Sequence, residues 1–264
     1  MADMKLLECC DLKVSYTRRS RGERVLIEGL NAHFEEGGLY VLIGVNGAGK
    51  SSLLRVMAGV QAAAQGCVRL SAADVMHMRR VERSRSIAAL FRDFSRVDGM
   101  LVRDMVALGR HPYTGLWGSM RAEDESAVEE AMEAVGMMDF AERQVSTLSD
   151  GEFQKALLAK MLAQDAPVML LDEPDSHLDL PSALEMVELL RKLASAQGKC
   201  IIISTHNLPI AFQMADKVLL LEGQGKWAFD SPAAIAGHAL MCGFLRSDKI
   251  AFVNGELTFK LNKT

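Results

Sequence analysis

Eight residues, GVNGAGKS from Gly44 to Ser51, have the types and spacing to hold phosphate. They match G-x-x-x-x-G-K-[ST] and lie between the apolar run LYVLI (Leu39 to Ile43) and KSSLLRVMAGV. A strand, a Gly-rich loop and a helix is the context this pattern needs. The glycines let the backbone N–H groups point inward, and the positive end of the helix completes an anion nest. The Lys50 ammonium can neutralise the outer phosphates of a nucleoside triphosphate, and the Ser51 hydroxyl can ligate Mg2+. Asp172 and Glu173 end a second apolar run, VMLLD (Val168 to Asp172). In an open α/β sheet, ligands gather at the carboxyl ends of the strands. There Asp172 would reach the Mg2+ directly or through water, and Glu173 would polarise an attacking water. His206 follows a third run, CIIIST, and is suited to report on the terminal phosphate.

LSDGEFQK, Leu148 to Lys155, is further chemistry. Ser149 and Gly151 precede the helical run ALLAKML, so they form a second anion site at a helix N-terminus. One nucleotide fits one phosphate loop. The second site therefore implies a nucleotide carried by another copy of the chain.

The elements that must position these groups follow from periodicity. LYVLI, VMLLD, CIIIST and KVLLLE are continuous apolar runs, as expected of strands covered on both faces. Helical stretches alternate with them, which implies a parallel sheet with crossovers. PSALEMVELLRKLASAQG places proline at the first helical position and ends at Gly198. Between the first and later strands lies a mainly helical insert, expected at 87–147. In it Val128, Met132 and Val135 share one face, Glu123 to Glu125 suit a helix start, and Gly136 ends the helix. A mixed tail is expected at 225–264, where FVNGELTF carries an Asn-Gly hairpin signal.

The totals fit one large domain over 1–264. The chain has 264 residues, 49% hydrophobic and 24% charged, enough for a sizeable core. A net charge of −4 argues against nucleic acid as the partner. The clusters RRSRGER (Arg18 to Arg24) and RRVERSR (Arg79 to Arg85) read as solvated faces. No apolar run reaches membrane-span length, and MADMKLLECC lacks the apolar core of a signal peptide. The five cysteines include no C-x-x-C pair, which fits free thiols in a reducing compartment. The 16 methionines read as core filler.

Taken in order, these motifs resemble the nucleotide-binding subunit of an ATP-binding cassette (ABC) transporter, over nearly the whole chain. Tyr16 in VSY matches the adenine-stacking aromatic, GVNGAGKS the Walker A loop, LSDGE the signature, VMLLDEP the Walker B strand, SHLD (Ser176 to Asp179) the D-loop, and His206 the switch histidine. The resemblance implies an ABC-type P-loop NTPase: a mainly parallel core sheet, an antiparallel β subdomain and a helical subdomain. It implies ATP and Mg2+ held by Tyr16, Asn46, Gly47, Ala48, Gly49, Lys50, Ser51, Ser52 and Asp172. It also implies that Ser149, Gly151 and Asp179 act across a head-to-tail dimer of identical chains.

Two positions depart from the family pattern. Asp150 and Glu152 replace a Gly and a Gln of the usual LSGGQ. Asp150 is expected to point away from ATP, because an acid there without an Arg or Lys partner would cost affinity. The family also carries a Gln after the strand matching IAALF. Arg92 stands there, and no glutamine occurs from Cys67 to Arg143. A guanidinium cannot ligate Mg2+ but binds phosphate in two-pronged fashion. Four readings stay open: Arg92 senses the γ-phosphate, Asp93 supplies the metal-side group, coupling is weakened, or Arg92 is plain loop surface.

VRDMVALGRHPYTGLWG resembles the helical-subdomain segment of importers for iron–siderophore complexes, haem and cobalamin. The expectation is an ATPase on the cytoplasmic face of the membrane, docked through its helical subdomain to integral-membrane permease subunits. The alternative is a non-transport ABC ATPase acting on a soluble assembly, such as a cofactor-biogenesis complex.

Overall fold

The computed structural model describes residues 5–18, 22–92, 95–115, 118–176, 178–241, 250–253 and 256–259. The chain begins with two long strands, β1 (Lys5–Arg18) and β2 (Gly22–Glu35), then β3 (Leu39–Gly44) and helix α1 (Lys50–Met57). Strands β4 (Gln65–Leu70) and β5 (Ala73–Asp74) follow, then α2 (Arg80–Ser86) and β6 (Ile87–Leu90). Next come α3 (Val102–Ala107), α4 (Ala122–Ala134) and α5 (Asp150–Ala163). The chain then alternates through β7 (Val168–Asp172), α6 (Leu180–Gln197), β8 (Cys200–Ser204), α7 (Leu208–Met214) and β9 (Lys217–Gly223). It closes with β10 (Lys226–Asp230), α8 (Pro232–Ala236), β11 (Ile250–Val253) and β12 (Glu256–Phe259).

The core sheet runs β10-β9-β3-β8-β7-β6, parallel except for the antiparallel pair β9–β10. A second, antiparallel sheet runs β2-β1-β4-β5. The continuous apolar strands are explained by burial on both faces, because successive side chains point to opposite sides. Val41, Ile43, Leu171, Ile201 and Ile203 face a core built with α3 to α6. Leu42, Leu170, Ile202 and Leu219 face the other core, built with α1 and the antiparallel sheet. Each such side chain removed from water contributes about 1.5–3 kcal/mol. Among the described residues, no helix is long and apolar enough to cross a membrane.

The structure refines these expectations. Ile87 to Leu90, matched above to a family strand yet placed within the 87–147 helical insert, form β6, parallel to β7 at the edge of the core sheet, so the helical part begins after Leu90. Helix α6 starts one residue before Pro181, at Leu180, and its cap is the Asp179 side chain, which accepts from Ser182 N at 2.9 Å. The tail expected at 225–264 is mixed in its described residues, and its first strand, β10, pairs with β9 in the core sheet. The hairpin strands β11 and β12 pair as expected, though Asn254 and Gly255 lie outside the described residues, as does Cys242. Cys9, Cys10, Cys67 and Cys200 are free thiols. Many methionines do pack inside, Met57, Met132, Met161 and Met169 among them.

Within α4, Val128 and Met132 are buried, and Gly136 follows the helix at φ 68°. The acidic first turn is not only a dipole device. Asp124 is buried and accepts from Arg110 Nε at 2.9 Å and from Arg121 N at 3.1 Å. Arg110 also donates to Ala163 O at 2.9 Å and stacks 4.0 Å from the Tyr113 ring. The Arg121 N–H, with Arg110 beside it, holds the Asp124 carboxyl below its ordinary range. This cluster pins α4 to the end of α5. We expect Asp124→Ala to lower the free energy of unfolding by about 3 kcal/mol, because it strands the Arg110 charge in the interior; urea unfolding followed by circular dichroism measures it.

Candidate active site

Polar side chains are scarce in this interior, and their placement is uneven. Seven described polar or charged residues are buried, and five of them (Lys50, Asp172, Glu173, Ser204 and Thr205) gather at the carboxyl end of the core sheet. Strand register explains the gathering: Leu42 pairs with Ser204, and Ser204 with Asp172. The ends of β8 and β7 are therefore level and deliver Ser204 and Asp172 to the same edge, while β3 runs two residues further to Gly44, where the loop bearing Lys50 begins.

The loop after β3 is held open by glycine. Gly47 sits at φ 77° and Gly49 at φ 109°. A Cβ at Gly49 would also lie 3.0 Å from Leu26 Cβ, so a side chain there is excluded twice. Helix α1 starts at Lys50, with Ser51 and Ser52 in its first turn. Lys50 is 5% exposed, and its Nζ donates to Gly44 O at 2.9 Å across the loop. Burial pushes the Lys50 ammonium below its ordinary value, while Glu173 and Asp172 nearby oppose that shift. The loop's outer side meets β2, where Arg24 Nη2 approaches Gly47 O at 3.4 Å. Arg24 pairs with Tyr16 across β1 and β2, and Tyr16 is half exposed. One member of the RRSRGER cluster thus touches the phosphate loop rather than solvent alone.

The two acids are supported from β8. Ser204 Oγ donates to Asp172 Oδ1 at 2.7 Å. Glu173 N donates to Ser204 O at 3.1 Å and to Ser204 Oγ at 3.0 Å. These bonds hold Glu173 at φ 51°, a left-handed backbone that a non-glycine residue adopts only under constraint. Its carboxylate is gripped on both oxygens. His206 Nε2 meets Oε1 at 2.8 Å, and Arg92 Nη2 pairs with Oε2. Thr205 ties the neighbouring loop down, donating to Asp175 Oδ2 at 2.6 Å and accepting from Asn207 N at 2.9 Å.

The structure therefore brings Lys50, Asp172, Glu173, His206 and Arg92 together, with Ser51 one residue into α1, which packs beside β7. It does not bring Ser149, Gly151 or Asp179 to that cluster by any hydrogen bond or ion pair among the described residues. Ser149 opens α5, packed on the opposite sheet face from α1. Its hydroxyl accepts from Glu152 N at 3.3 Å and its own N–H donates to Glu152 Oε2 at 2.7 Å, a reciprocal cap. Glu152 thus has a structural use, and those bonds hold its carboxyl below its ordinary range. Asp150 meets an arginine: Arg96 Nη2 reaches its Oδ1 at 2.5 Å while the Arg96 guanidinium lies 5.2 Å from the Phe153 ring. Asp93 and His177 lie outside the described residues.

A buried cation at a Gly-rich nest, beside two buried acids, can hold a nucleoside triphosphate and place a carboxylate near its terminal phosphate. The comparisons agree with that chemistry. The ABC transporter family pattern matches residues 27–176. The chain belongs to this family and is an ATPase of the ABC type. It is similar to the petrobactin import ATP-binding protein FpuD of Bacillus anthracis, at 32% identity over 92% of this chain and 88% of that protein. It is also similar to the ferric enterobactin transport ATP-binding protein FepC of Escherichia coli K12, at 35% identity over 78% and 75% of the two chains. The fold is shared with a metal-chelate type ABC transporter solved in an inward-facing conformation (TM-score 0.80, 24% identity, 96% of this chain and 95% of that one).

Sequence reasoning missed Ser204. A serine ending an apolar strand carries no motif, and only strand register shows that it serves both acids. Ser204→Ala removes the hydroxyl that donates to the buried Asp172 and leaves the Glu173 N–H with the Ser204 carbonyl alone. We expect a loss of about 1–3 kcal/mol in unfolding free energy and a fall in ATP turnover, read by thermal melts and phosphate release.

Proposed function

We propose that this chain is the ATP-hydrolysing subunit of an importer for a chelated metal or corrin: an iron–siderophore complex, haem or cobalamin. The names of its relatives support the cargo class, and the segment Val102 to Gly118 supports docking on permease helices. In this reading the subunit sits at the cytoplasmic face of the membrane, held there by its permease. The observation that carries the hydrolytic part is the buried Glu173, gripped between His206 and Arg92 beside Lys50.

ATP would lie with its phosphates over residues 44–52, held by backbone N–H groups of the Asn46 to Gly49 loop and by the charge of Lys50. Tyr16, exposed on β1, would stack on the base. Ser51 and Asp172 are hard oxygen donors, and Ser204 fixes one oxygen of the Asp172 carboxylate, a donor set that suits Mg2+. Bound there, Mg2+ would neutralise charge on the phosphates. Glu173 is assigned to take the proton of the attacking water, and His206 to hold Glu173 and sense the terminal phosphate.

A second copy completes the site. Ser149 and Gly151 at the start of α5, with Asp179 at the start of α6, would meet the ATP of the partner copy. ATP then favours the closed pair, hydrolysis reopens it, and the permease follows that population shift.

Glu173→Gln is expected to bind ATP, to stop turnover and to accumulate as a dimer by gel filtration with ATP. The wild-type rate per subunit should rise with protein concentration, because each site needs two copies. A Glu173→Gln protein that hydrolyses ATP at the wild-type rate removes the assignment of Glu173.

A further inference from the structure

The segment between β6 and α3 carries two arginines, and both are engaged. Arg92 pairs with Glu173, and Arg96 pairs with Asp150 at 2.5 Å. They line one cleft of about 200 Å3 with Leu90, Asp150, Asp172 and Glu173. The two acids differ in setting: the side chain of Glu173 is 5% exposed, that of Asp150 71%. One arginine thus reaches into the hydrolytic site, and the other grips the rim of α5.

The Arg92 contact opposes the role assigned to Glu173. A carboxylate that takes a proton from water needs an accessible lone pair. A guanidinium against Oε2 blocks approach on that side. His206 already occupies Oε1. A glutamine in place of Arg92 would not form that ion pair.

We propose that Arg92 is a positioning residue that restrains ATP hydrolysis through Glu173: it holds the carboxylate in the nucleotide-free subunit, and turnover requires it to let go. The inference rests on the assignment of Glu173 made above. The Arg96–Asp150 pair supplies the connection for release. It ties the same segment to the N-terminus of α5, the end that faces a second copy, so displacement of α5 draws on the segment that bears Arg92.

The test uses the purified full-length subunit with Arg92→Gln, Arg92→Lys, Glu173→Gln and the double variant Arg92→Gln/Glu173→Gln. Turnover at saturating ATP, affinity for a fluorescent ATP analogue, and the thermal midpoint without nucleotide are measured for each. Arg92→Gln should raise kcat about tenfold, with affinity changed less than about threefold. Arg92→Lys should give a smaller rise, since it keeps the charge but not the fork. The double variant should not turn over. Arg92→Gln should lower the thermal midpoint of the wild type but not of Glu173→Gln, because the pair is already lost there. A kcat for Arg92→Gln at or below wild type overturns the proposal, as does an equal thermal effect in both backgrounds. If Glu173→Gln is inactive in those cases, the assignment of Glu173 survives. Wild-type turnover by Glu173→Gln overturns both.

Discussion

Burying charge at the edge of an apolar sheet is the constraint from which the rest follows. Lys50, Asp172 and Glu173 are each at most 5% exposed, at the end of strands that are otherwise hydrocarbon. Isolated, any one would be costly or would lose its charge. Together they are tolerable, because one cation faces two acids and the remaining polar atoms are bonded to Gly44, Ser204 and His206. Burial still leaves the Lys50 ammonium easier to deprotonate than usual, although both acids oppose that shift. The doubly covered sheet is what makes the edge dry enough for these charges to act strongly.

Level strand ends are the second requirement, and they are set by main-chain pairing. The parallel register of β3, β8 and β7 places Leu42, Ser204 and Asp172 side by side. A slip of one residue would turn each terminal polar group into the core and expose an apolar neighbour. Register and burial therefore enforce each other. The left-handed backbone of Glu173 is held by two bonds from Ser204, so local strain at the site is stabilised by the sheet.

Much of this was legible in the sequence where a rule of local physics applied. The phosphate loop needs glycine at positive φ, so Gly47 and Gly49 announce themselves. Doubly buried strands must be apolar throughout, so VMLLD and CIIIST do as well. The rest depends on partners far apart in the chain. Ser204 looks like any strand-ending serine until β7 is paired beside it. Asp124 looks like a helix-dipole acid until Arg110 folds onto it. The helical insert was bounded too early, at Ile87, because four apolar residues carry no usable period and only pairing with β7 fixes β6 as a strand of the core sheet. Arg92 was conspicuous as a departure, yet charge and position left four readings open; its contact with Glu173 narrows them.

Arg96 shows how one departure can accommodate another. Asp150 introduces negative charge at the start of α5, the end proposed above to meet a partner's nucleotide. A carboxylate in the first turn suits the helix dipole but repels phosphate. Arg96 offsets that repulsion locally, and its stacking on Phe153 holds the guanidinium in place. The same segment offers Arg92 to Glu173. Two substitutions that look independent in the sequence, an acid in the signature and an arginine for a glutamine, thus fall on either end of one short stretch. Charge-assisted contacts are shorter and more directional than those of a neutral amide, so an arginine at 92 meets Glu173 in a way that glutamine would not.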